Sequence, residues 1–199
     1  MKEIPQEFIN YVFKERRVLI EKLLKGEVTK EEILIGFTRH TPAIVSYGPA
    51  GLNASIKGIG FIVREEYLGE TVKILKEKLQ NSLSMREALE TLLNFIYRED
   101  RVDFTKLSSI ELAKKHTWVN VQQNPKVTLL FYTPPDISYE VRCKVSIHLN
   151  DDYWRLVNAI HDLFHGGRII RDWSKYPVYI FKIVEIYDNS PSSMGTKVY

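Results

Sequence analysis

KVTLLFYTPPDISYEVRCKVSIHL, residues 126–149, decides the fold. Lys126 to Tyr132 is a nearly continuous apolar run rich in strand formers, and Thr133-Pro134-Pro135-Asp136 is turn chemistry. Tyr139 to Leu149 then alternates Tyr, Val, Cys, Val, Ile, Leu against Glu, Arg, Lys, Ser, His. Period-two alternation puts one set of side chains on a buried face and the other in water, so the pair reads as two antiparallel strands of a half-buried sheet.

More strands flank this pair. Val178 to Tyr187 reads as a final long strand, with Asn189 to Tyr199 as a tail. Upstream, Ala43 to Tyr47, the turn Gly48-Pro49-Ala50-Gly51 and the run Leu52 to Val63 read as a hairpin whose second strand carries a bulge at Gly58 and Gly60. Arg101 to Leu107 is a short candidate strand. Between the strands the apolar period becomes helical. A helix is expected over Pro5 to Lys25, and a second opens at the Thr29/Glu32 capping box and ends at Gly36. Helical segments carry Val72, Leu75 and Leu79, then Ser84/Glu87 and Leu89, Leu92 and Ile96. Ser108/Glu111 reads as a cap for a helix running towards Asn124, where Pro125 stops it. Asp151 or Asp152 caps the last helix, which Gly166-Gly167 closes. The expected architecture is mainly β with inserted helices, about six mostly antiparallel strands, enough for a small barrel. It forms one domain over 1–199, with an N-terminal helical segment at 1–36 and a helical insertion at 69–98.

Composition excludes several functions. With 28 Lys+Arg against 25 Asp+Glu the formal net charge is only +3, and the charges are interspersed, so no basic stripe exists for a nucleic-acid backbone. No apolar run approaches the roughly 20 residues that span a bilayer. A lone cysteine, Cys143, allows no intrachain disulfide and no cysteine metal cluster, and a cytoplasmic, reducing setting is expected. Nucleotide-binding G-x-G-x-x-G and G-x-x-x-x-G-K motifs are missing, as is the G-x-S-x-G of hydrolases. His161 and His165 stand at i, i+4 without the intervening Glu of zinc proteases, so no metal is assigned to them. Trp118, Trp154 and Trp173 read as packing anchors.

The segment HTWVNVQQNPKVTLLFY (residues 116–132), followed by YEVRCKV (139–145), resembles the FMN-binding split-barrel superfamily around pyridoxamine phosphate oxidase. GLNASIKG (51–58) is similar to the early hairpin of the same group. The resemblance implies a homodimer with a flavin between the subunits and an FMN-dependent oxidoreductase activity in which the flavin takes the hydride, so no catalytic side chain is named. It implies a cofactor site at Lys115, His116, Thr117, Asn120 and Arg142, with Glu140, Asn53, Ser55 and Lys57 beside it. Cations and helix-terminal N–H groups would meet the phosphate there, and Gly58 and Gly60 would let the ring lie against backbone. The chain departs from the oxidase branch at Glu140, at Lys115-His116-Thr117, and in lacking the C-terminal Arg-x-His, which leaves the substrate open. Two other readings stand beside it: a non-catalytic barrel that binds haem, a flavin or a regulatory ligand, and a cofactor-free interaction module.

Overall fold

The computed structural model describes residues 3–199. In chain order the elements are α1 (Gln6–Ile9), a π-helical turn (Asn10–Lys14), α2 (Glu15–Lys25), α3 (Lys30–His40), β1 (Ala43–Gly48), β2 (Gly51–Ile56), β3 (Gly60–Val63), α4 (Glu65–Gln80) and α5 (Met85–Phe95). They continue with β4 (Val102–Ile110), α6 (His116–Gln123), β5 (Lys126–Thr133), β6 (Ile137–His148), α7 (Asp152–Gly166), a 3-10 turn (Trp173–Lys175), β7 (Val178–Asp188) and β8 (Thr196–Lys197). No helix among the described residues is long and apolar enough to cross a membrane.

Seven strands form one antiparallel path in the order β2-β1-β5-β6-β7-β4-β3, and β8 pairs with β7 beside it. The two ends of that path, β2 and β3, are consecutive in the chain and only residues 57–59 separate them. The sheet therefore returns to its starting corner without its end strands pairing, which is the split in the barrel. β5 and β6 pair in register from Lys126↔Lys144 to Thr133↔Ile137, as their alternation requires. Their inward residues Leu129, Phe131, Val141 and Cys143 join a continuous apolar core.

Helices complete that core. The π-helical turn lets three consecutive residues, Tyr11, Val12 and Phe13, be buried. Tyr11 meets Phe131 and Tyr139, while Phe13 lies 5.0 Å from Phe61 and from Phe104, both edge-on. α7 packs on α4, α5 and the β3–β4–β7 side of the sheet.

Four local expectations are corrected. The run 52–63 is not one bulged strand but two: β2 pairs with β1 and β3 pairs with β4, at opposite ends of the sheet. Gly58 and Gly60 mark the break. Ser108 does not cap a helix, because Ser108, Ser109 and Ile110 continue β4 and pair with Ile180, Tyr179 and Val178. Helix α6 starts only at His116. Gly36 does not end α3. A side chain there would collide with Leu19, its Cβ falling 2.5 Å from Leu19 Cδ2, so the glycine serves close packing within a helix that continues to His40. Finally, part of the tail pairs: Tyr187↔Lys197 and Asp188↔Thr196.

Candidate functional site

The nine residues expected at a cofactor site fall into three groups. Asn53, Ser55, Lys57, Thr117 and Asn120 come together where α6 packs on the inner side of the β1–β2 hairpin. Thr117 Oγ1 accepts from Asn53 Nδ2 at 2.8 Å and lies 3.0 Å from Ser55 Oγ. The fully buried Asn120 accepts from the Ala50 amide (2.9 Å) and donates to the Gly51 carbonyl (2.8 Å) and Ser46 Oγ (3.2 Å). These side chains are spent on fixing the helix to the hairpin turn. Lys57 is likewise engaged: its Nζ lies 2.8 Å from Glu111 Oε2, which also accepts from Tyr179 Oη at 2.8 Å. The other oxygen of Glu111 accepts from the Ala113 and Lys114 amides at 2.8 and 2.7 Å. Burial alone would raise the Glu111 carboxyl pKa, but Lys57, Tyr179 and the amides outweigh it and hold it below the usual range. Burial, then the carboxylate, pushes the Tyr179 phenol well above its ordinary value.

Lys115 and His116 form the second group, exposed at the start of α6, whose N-cap residue makes no side-chain capping bond. Glu140 and Arg142 are the third. The register Val45↔Thr128↔Arg142 puts Arg142 on the outer face, whereas Ser46↔Asn53 lies inward. Arg142 donates to Glu140 at 2.7 Å and to Glu185 at 3.2 Å, so two carboxylates already balance its charge. Within the chain this pair does not join the α6 residues.

Beside the Lys57–Glu111 cluster lies a cavity of 470 Å³. Gly58, Ile59 and Gly60 of the barrel split form one wall, Ser108 to Ile110 and Leu112 a second, and Val157, Ile160 and Phe164 of α7 a third. Its volume falls within the roughly 300–1,000 Å³ of small-molecule sites. Around Gly58 the cavity is open, because a Cβ there would meet nothing within 4 Å. The flanking amides of Lys57 and Ile59 donate to the Pro42 and His40 carbonyls. Arg16, His40, His161 and His165 also line it. Sequence reasoning paired the last two but missed Arg16 and His40, neither of which stands in a motif that carries chemistry.

An antiparallel path whose end strands meet through a three-residue link defines a split β-barrel, the fold of the pyridoxamine phosphate oxidase-like proteins. No family model matches the chain, and no curated protein matches it. Among solved structures it is similar to HupZ of Group A Streptococcus, with TM-score 0.50 and 11% identity over 86% of this chain and 99% of that one. A pyridoxamine 5'-phosphate oxidase-related, FMN-binding protein of Nostoc punctiforme gives TM-score 0.49 and 10% identity over 94% of this chain and 86% of that one. A putative pyridoxamine 5'-phosphate oxidase of Lactobacillus delbrueckii gives 0.45 and 16% over 80% and 93%.

Proposed function

We propose that this chain is an FMN-binding oxidoreductase whose flavin ring occupies the cavity at the barrel split. The observation that carries the proposal is the wall at Gly58 to Gly60, where at Gly58 no side chain stands between the backbone and a largely apolar space of ligand size. The donor set suits the group. Apolar walls suit the ring, and the first-turn N–H groups of α6 with Lys115 and His116 suit the phosphate. Asn53, Ser55, Lys57, Thr117 and Asn120 hold that helix start in place, and Glu140 and Arg142 would serve the cofactor of a second copy. When bound, FMN supplies the hydride chemistry, while the chain binds the ring, orients it and excludes water.

The test is reconstitution. Protein incubated with FMN and desalted should retain the flavin absorption band, and Gly58→Val should weaken binding by about tenfold or more, the scale set by overpacking a site. Position 58 has space for a side chain, so this variant should fold normally. A colourless product after reconstitution would overturn the proposal. A second reading, haem in the same cavity, is favoured by the imidazoles of His161 and His165 on its wall. Titration with haemin would then give a Soret band that the double variant His161→Ala/His165→Ala loses.

A second copy of the chain is the proposed partner. Tyr47, Leu52, Ile56, Leu130 and Tyr132 are exposed on three adjacent strands, β1, β2 and β5, and form an apolar outer face unusual for a solvated sheet. Sedimentation should give a dimer, and Leu130→Glu on that face should give a monomer. A wild-type monomer at all concentrations would refute it.

A further inference from the structure

The polar end of the cavity is built differently from its apolar walls, and it is short of negative charge. Arg16, from α2, lies with its guanidinium 5.1 Å from the centre of the Phe164 ring, and its Nη1 is 2.7 Å from His40 Nδ1. The same His40 nitrogen is 2.7 Å from the Gly36 carbonyl oxygen. A carbonyl only accepts, so a nitrogen that serves Gly36 carries the proton and cannot also accept from Arg16. Burial, then the neighbouring Arg16, lowers the His40 pKa to about 4, so the ring is neutral near pH 7 and brings no charge of its own. Among the described residues no carboxylate reaches Arg16 within salt-bridge distance, and no Asp, Glu or Lys lines the cavity.

Helix α7 completes this end. His161, Phe164 and His165 share one face by their i, i+3, i+4 spacing, and the two imidazole rings are 4.3 Å apart. His161 Nδ1 has no hydrogen-bond partner. Its nearest charged neighbour is Asp162 Oδ1 at 3.5 Å, a long contact to a carboxylate that accepts more closely from Arg171 (2.9 and 3.0 Å) and from Trp173 Nε1 (2.7 Å). A planar guanidinium over the Phe164 ring, in a cavity that the two imidazoles also line and that Phe37, Ile59, Ile110, Leu112, Val157 and Ile160 wall, matches a flat apolar molecule that ends in an oxyanion.

We propose that Arg16, His161 and His165 form a receptor for the carboxylate of a small, ring-bearing organic acid. The acid would take up part of the cavity assigned above to the flavin ring, so it rests on the flavin reading only in being a competitor of FMN there; binding of the acid itself does not need FMN.

The experiment titrates the full chain, free of flavin, with benzoate, with neutral benzamide and with inorganic phosphate, followed by calorimetry. Benzoate should bind at least tenfold more tightly than benzamide, because the charge-assisted pair to Arg16 is lost in the amide, and more tightly than phosphate, which has no apolar body. Arg16→Gln should cost benzoate affinity about tenfold or more, and Arg16→Lys should restore part of it. Should Arg16→Gln fail to fold, the double variant His161→Gln/His165→Gln on the exposed side of α7 carries the same expectation. Equal binding of benzoate and benzamide, or variants that leave benzoate affinity unchanged, would overturn the proposal. Phosphate binding as tightly as benzoate would overturn the ring-bearing class. FMN is titrated separately: benzoate binding without flavin uptake sinks the flavin reading alone, and flavin uptake without benzoate binding sinks this one alone.

Discussion

Replacing Glu111 with alanine is expected to destabilise the protein by about 3–5 kcal/mol, the range for breaking a buried ion pair by removing one partner. Glu111 is 1% exposed, and its loss would strand the Lys57 ammonium, the Tyr179 hydroxyl and the amides of Ala113 and Lys114 at once. Urea unfolding at pH 7 measures the cost. Glu111→Gln should cost less, because the amide oxygen still accepts, although its NH2 then faces the Lys57 ammonium. The effect has a pH signature. A carboxyl held below its ordinary pKa in the folded state contributes stability above the unfolded value, near 4.5, and loses that contribution as the pH falls through the depressed value. The stability gap between wild type and Glu111→Gln should therefore narrow on going from pH 7 to below pH 4. A gap that stays constant, or a Glu111→Ala variant within 1 kcal/mol of wild type, would show that this cluster does not hold β2, β4, β7 and the approach to α6 together.

Asp162→Ala should have an effect of similar size, again about 3–5 kcal/mol. Asp162 has no exposure, and it ties the chain after α7 back to that helix through Arg171, Trp173 and the Ile170 amide. Burial pushes its pKa up, but His161, Trp173 and Arg171 together hold it below the ordinary range, so it carries charge near neutral pH. Without it Arg171, whose side chain is only 12% exposed, keeps its charge and loses its counter-ion. Limited proteolysis should then cut between residues 167 and 172 in the variant and not in wild type. Asp162→Asn keeps an acceptor for Trp173 while removing the negative charge nearest His161, so in that variant binding of a carboxylate at the Arg16 end should tighten. Unchanged proteolysis in Asp162→Ala would contradict the anchoring role.

Much of the barrel was legible because its evidence is local. The alternation of Tyr139 to Leu149 tells which side chains face inward, and a register slip would turn all of them to water. The Thr29/Glu32 and Ser84/Glu87 capping boxes form as read, since both partners lie within one turn. Ser108/Glu111 has the same spacing and failed, because the Ser108 backbone is claimed by Ile180, distant in sequence, and the Glu111 carboxylate is drawn to Lys57. Gly58 and Gly60 show the same limit. Two glycines announce that the backbone is unusual, but whether they bulge a strand or separate two strands depends on which partner lies alongside.

The candidate site divides in the same way. Thr117 and Asn120 were identifiable as residues with a purpose, yet the purpose realised in the fold is to bond the hairpin at Ser46, Ala50, Asn53 and Ser55. The strand pair at 126–149, the helix faces and the class of barrel could be read from the chain alone, because periodic burial is written in neighbouring residues, whereas the division of 52–63 into two strands could not. It took the folded chain to show that Lys57 is neutralised by Glu111, that Arg142 points away from α6, and that Arg16 lies over Phe164, in a cavity His161 and His165 also line, without a counter-charge. Side-chain charges are matched across the gap between elements, and that pairing is set by how the chain closes its long loops, a quantity no local pattern records.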